Sequence, residues 1–166
     1  HKLCTSKVDD FTNGSSFHRV LWDDAEKGNS TTKLVKDTEI KRVVMCSGKV
    51  YYDLLEERDA RELNDVYLLR FEQFYPFPAM SAVKELERFK NAEMVWCQEE
   101  PKNQGAWSFM EPNIEWVLNR MKAKFKRPIF VGRPASASPA TGLASQHKVQ
   151  QTSLVDEALN LKEIKK

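Results

Sequence analysis

Four residues in a row, Met94-Val95-Trp96-Cys97, run unbroken into Gln98-Glu99-Glu100-Pro101, and this junction constrains the fold more than any other stretch. Successive side chains of a β-strand point to opposite faces, so a strand without polar alternation needs cover on both. The run predicts the central strand of a sheet held between two layers of helices. Gln98, Glu99 and Glu100 then emerge at its carboxyl end, the edge where open α/β sheets place ligands and partners.

The rest of the chain supplies the other layers. Val43-Val44-Met45-Cys46 reads as a strand closed by the turn Ser47-Gly48-Lys49. Val50 to Leu63 reads as a helix, with Tyr51, Leu54, Leu55 and Arg58 on one stripe. Asp65 to Phe71 is a second strand, ended by Tyr75-Pro76-Phe77-Pro78 because proline offers no amide proton. A helix over Ala79–Phe89 follows, with Met80, Val83, Leu86 and Phe89 buried. Ile114, Val117, Leu118 and Met121 mark another helix at helical spacing. Pro112 leaves its start open between residue 106 and residue 112. Ile129-Phe130-Val131 is the last strand, and a closing helix carries Leu154, Val155, Ala158 and Leu159. Strand and helix alternate, which is the pattern of a three-layer α/β/α domain with a mostly parallel sheet.

Residues 1–38 are polar apart from Phe17 to Trp22 and read as an amino-terminal arm or linker, with Gly28 to Thr32 as a disordered loop. The domain proper is expected over 39–162 and a short tail over 163–166. The start His1-Lys2-Leu3 has no methionine, so the chain is read as a piece of a longer polypeptide. Lysine and arginine number 26 against 24 aspartate and glutamate, a formal charge of +2. That balance argues against a nucleic-acid binder, which concentrates basic excess on one face. No apolar run approaches the roughly 18 to 20 residues that span a bilayer. Three cysteines cannot all pair, and Cys46 and Cys97 lie in apolar runs, so a reducing compartment is expected.

Several constellations invite a chemical reading. Ser47-Gly48-Lys49 lacks the earlier glycine and the following hydroxyl of a phosphate loop, but a turn opening a helix could still hold an anion beside Lys49. Cys97 could be a nucleophile, though no histidine is placed to activate it, and a core role is simpler. Glu99 and Glu100 could act as acid and base or bind a metal. Adjacent strand positions diverge, however, and His1, His18 and His147 are not spaced as ligands. The plainer reading has these carboxylates, with Asn103 and Gln104, bonding a loop across a domain or subunit boundary. Arg133, after the last strand, could bridge to the Glu99-Glu100 carboxylates, and a surface arginine without a role is an equal reading. Trp96, Trp107 and Trp116 read as core or interface aromatics.

Four stretches, Arg42–Leu54, Leu69–Pro78, Val95–Trp107 and Gly132–Ala140, together resemble the carboxyl-terminal region of the 2-oxoglutarate dehydrogenases, the thiamine-diphosphate-dependent decarboxylating components. Residues Ser15 to Asp24 resemble alphaproteobacterial members. The resemblance implies a transketolase C-terminal-domain-like fold. It also implies a parent reaction of the tricarboxylic acid cycle: decarboxylation of 2-oxoglutarate by the thiamine cofactor and succinyl transfer to a lipoyl group on the dihydrolipoyl succinyltransferase. In that family thiamine diphosphate and Mg2+ sit in the two preceding domains, so no catalytic, cofactor or metal residue carries over to this chain. What is implied here is support of a homodimer and of the neighbouring domains. Relatives respond to acetyl-CoA or AMP, so the alternative is a regulatory module binding a nucleotide-like effector near Ser47, Lys49, Glu99, Glu100, Asn103, Gln104 and Arg133.

Overall fold

The structure, a computed structural model, describes residues 2–12 and 14–161. The tail expected over 163–166 lies outside them. Five strands form one sheet in the order β1-β3-β2-β4-β5, with β1 Val20–Leu21, β2 Arg42–Cys46, β3 Val66–Phe71, β4 Glu93–Pro101 and β5 Ile129–Arg133. The pairs β2–β3, β2–β4 and β4–β5 are parallel, and only the edge strand β1 runs antiparallel, to β3. The helices are α1 Val50–Ala60, α2 Ala79–Leu86, α3 Trp107–Arg120 and α4 Ala144–Leu159. No helix among the described residues is long and apolar enough to cross a membrane.

The central strands send alternate residues to two separate cores. Val43, Met45, Met94 and Trp96 pack with Leu86, Met110, Ile114 and Leu118 of α2 and α3 on one face. Val44, Cys46, Val95 and Cys97 pack with Leu54, Leu55, Leu154 and Ala158 of α1 and α4 on the other. Both faces are covered, so every residue from Val43 to Cys46 and from Val95 to Cys97 is buried despite the lack of alternation.

Several expectations are corrected. Met80 is 67% exposed rather than buried, and Ala82 takes the inward position on α2. Pro112 lies inside α3, which begins at Trp107. The carbonyl its missing amide leaves free belongs to the exposed Ser108, where water can serve it. The segment from Gly28 to Thr32 is not a disordered loop: Ser30 Oγ, the Thr31 amide and Thr32 Oγ1 all donate to the Asp59 carboxylate, at 2.8, 3.1 and 2.8 Å. Within the arm, Val20 is buried in the first core and Asp23 is fully buried.

Asp23 explains why the short strand β1 suffices. Beyond it the outer edge of β3 has no strand partner among the described residues, and the Leu68 amide donates to Asp23 Oδ2 at 2.7 Å. Asp23 also accepts from the Ala25 amide at 2.9 Å and pairs with Arg58, which is itself fully buried on α1. Burial pushes the Asp23 carboxyl up, against the pull of Arg58. Arg42 closes the other end of the sheet: it pairs with Glu93 at 2.7 Å and donates to the carbonyls of Glu157 and Ala158 at 3.2 Å each. Those carbonyls belong to the last turn of α4, where helical partners run out and a cation suits the dipole.

Candidate functional site

The carboxyl edge of the sheet is built from the turns that leave β2, β3 and β4. Gly48, at φ +71°, makes the sharp turn from β2 into α1 that a side chain would strain. Lys49, just before α1, donates to Asp53 Oδ2 and reaches Glu99 Oε1, both at 2.9 Å. Burial lowers its ammonium pKa, but the bonds to Asp53 and Glu99 outweigh that and the net shift is upward. Glu99 is not in a loop, because β4 continues to Pro101.

Gln98 is the hub of this edge. Its Oε1 accepts from Trp96 Nε1 and from the Trp107 amide, both at 3.0 Å. Its Nε2 donates to the carbonyls of Gln104, Pro101 and Glu100 at 2.7, 3.2 and 3.3 Å. One buried carboxamide thus closes the β4–α3 loop and satisfies the first amide of α3. Gly105 sits so close that a Cβ there would lie 2.9 Å from Gln98 Nε2, and its φ of +65° already favours glycine. Across the sheet a Cβ on Gly132 would lie 2.8 Å from the Gln98 carbonyl oxygen, where β4 and β5 slip register between Cys97 and Pro101.

The residues singled out from sequence fall into two groups. Ser47, Lys49, Glu99 and Glu100 line one cavity of about 510 Å³, with Trp96 and Gln98 and the aromatic rings of Phe74, Tyr75 and Phe109. Asn103, Gln104 and Arg133 face the β5–α4 loop instead. Asn103 Nδ2 and Gln104 Nε2 both donate to the Ser136 carbonyl at 3.0 Å, and the Ser136 amide returns a bond to Asn103 Oδ1 at 3.0 Å. Arg133 is the last residue of β5, and its Nε donates to the Glu99 carbonyl oxygen. Neither reading of Arg133 holds: it makes no bridge to the Glu99 or Glu100 carboxylate, since Lys49 holds Glu99, and it is buried rather than a surface arginine. Asn103 and Gln104 bond the β5–α4 loop through Ser136.

Sequence reasoning missed Gln98, Phe74 and Tyr75. An amide standing between the apolar run and the two glutamates was the available sign for Gln98, while the aromatics come from a loop whose placement only the fold decides. The edge is poor in reactive groups. Cys97 is fully buried, and burial drives its thiol well above its ordinary pKa, the reverse of what a nucleophile needs. Burial likewise raises Cys46 to about 12. Among the described residues no group of three or more His, Cys, Asp and Glu could hold a metal ion.

These features define a three-layer α/β domain of the transketolase C-terminal-like kind, with a hydrogen-bonded carboxyl edge beside a cavity of about 510 Å³. The chain belongs to the family described as 2-oxoglutarate dehydrogenase C-terminal, which matches residues 5–159. It is 58% identical over 160 residues to the 2-oxoglutarate dehydrogenase E1 components of Brucella anthropi, Brucella ovis and Brucella canis, covering 96% of this chain. The chain spans 16% of the length of those relatives. The alphaproteobacterial likeness of Ser15 to Asp24 agrees with that genus.

Proposed function

We propose that this chain is the carboxyl-terminal domain of a bacterial, cytoplasmic 2-oxoglutarate dehydrogenase E1 component, supporting the catalytic domains and the contact between two subunits while the chemistry takes place elsewhere. Residues 39–162 form the domain in this reading, and 1–38 form the arm that leads into it. The observation that carries it is the 58% identity over 96% of the chain. The parent reaction would decarboxylate 2-oxoglutarate with thiamine diphosphate and Mg2+ and pass the succinyl group to the lipoyl group of the succinyltransferase.

The edge chemistry supports a supporting role. Mg2+ with a diphosphate asks for several oxygen ligands. The carboxylate of Glu99 is held by Lys49, and no group of three ligand side chains is present among the described residues. The residues of this chain do not fit that cofactor, and no catalytic step is assigned to them. Beside the exposed Lys49 and Glu100, the surface here includes open apolar side chains: Tyr75 is 84% exposed, Met80 67% and Phe109 38%. Tyr75 and Phe109 line the cavity, and apolar surface of this kind suits an interface.

The isolated chain, mixed with 2-oxoglutarate, Mg2+ and thiamine diphosphate, is expected to release no carbon dioxide and to give no calorimetric signal for the cofactor. In the longer E1 polypeptide, Tyr75→Asp is expected to shift the light-scattering mass toward monomer. Turnover by the isolated chain would overturn the reading.

A further inference from the structure

A second cavity, about 370 Å³, lies between the end of β5 and the first turns of α4. It carries a charge that the protein itself leaves unanswered. Arg133 lines it with only 9% of its surface exposed. Its Nε is taken by the Glu99 carbonyl, but its two Nη groups meet no acceptor among the described residues. An arginine side chain covered to this degree is normally matched by a carboxylate, and here the Nη groups are left open to the cavity and its solvent instead. The two other deeply buried arginines follow that rule, Arg42 with Glu93 and Arg58 with Asp23.

An independent feature points to the same charge. No Asp or Glu lines the cavity, whose walls include Ser136, Thr141, Gln146 and Gln150. Gln146 lies in the first turn of α4, a helix of 16 residues with no side-chain cap at its amino end and no acid in its first turn. The free amides there sit at the positive end of the helix dipole. Gln150 adds a buried Oε1 without a hydrogen-bond partner, an acceptor for a hydroxyl group. The volume falls in the lower range of small-molecule sites, about 300 to 1,000 Å³.

We propose that this cavity is an oxyanion site, taking the phosphate or carboxylate group of a small molecule in the fork of Arg133 beside the first turn of α4. A planar guanidinium suits either group through paired hydrogen bonds. The site does not depend on the assembly role proposed above.

The test is a nitrogen–proton NMR titration of the 166-residue chain with sodium phosphate and then sodium acetate, at constant ionic strength held with chloride. Saturable shifts confined to the Gly142–Gln146 amides and Arg133 Nε are expected from at least one of them. Saturation by phosphate alone assigns the phosphate class, and by acetate alone the carboxylate class. Arg133→Gln is expected to abolish binding, but Arg133 also holds β4. Gln146→Glu is the safer variant, since an acid in the first turn suits the helix dipole while repelling the ligand. It is expected to weaken binding about tenfold. Non-saturating shifts with both anions, or undiminished binding in a folded Gln146→Glu, would overturn the proposal.

Discussion

Gln98 concentrates five hydrogen bonds in one carboxamide, and its neighbours are shaped around it. Trp96 delivers its indole N–H to Oε1, and Gly105 leaves out the side chain that would collide with Nε2. A buried donor left without its acceptor costs about 1 to 3 kcal/mol. Gln98→Leu strands two donors, Trp96 Nε1 and the Trp107 amide, so a loss of about 2 to 4 kcal/mol is expected in urea unfolding. A loss below about 1 kcal/mol would mean that water replaces the carboxamide. The pairing of Lys49 with Glu99 belongs to the same scale. Sequence reading placed both residues at one edge but offered Arg133 as the cation for the Glu99-Glu100 carboxylates, because separations along the chain say nothing of which cation arrives first.

Between elements, the buried pair Asp23–Arg58 fastens the arm to α1 and to the bare edge of β3. Helical spacing correctly put Arg58 on the inward stripe with Leu54 and Leu55. The answering Asp23 lies 35 residues earlier in a polar stretch with no periodic signal. Removing one partner of a buried pair costs about 3 to 5 kcal/mol, because the other charge stays buried. Arg58→Met is expected to lose that much at neutral pH by denaturant unfolding. Part of the loss is expected to return in acid, where Asp23 can bury itself neutral. Equal losses at both pH values would show that packing, not charge, is what Arg58 supplies.

For the whole molecule, the arm also sets the response to acid. Burial works against ionised Asp59, but hydrogen bonds from Thr32 and Ser30 and the Thr31 amide outweigh it, and its folded pKa lies below the ordinary 3.8. A carboxyl depressed on folding adds stability above its unfolded pKa, and that stability is lost as pH falls through the folded value. Asp59→Asn is therefore expected to be less stable than the parent at pH 7, with the gap narrowing as pH drops below 3.8. Urea midpoints against pH would check it; a gap constant with pH would assign the effect to lost hydrogen bonds alone.

The sequence by itself determined the layered architecture. An unbroken Met94-to-Cys97 run and apolar stripes at helical spacing are local statements about which faces are dry, and burial in three layers is the common way to satisfy them. Those same local patterns brought Ser47, Lys49, Glu99 and Glu100 to one edge, since Ser47 and Lys49 follow the end of β2 and Glu99 and Glu100 lie in the last residues of β4. Tertiary structure alone decided the rest. It set β1 against β3, gave Asp23 to Arg58, sent Met80 outward, and left Arg133 facing a cavity without a carboxylate. Each is a match between groups far apart in sequence, and the free energy of such a match depends on a distance and a local dielectric that exist only once the chain has folded.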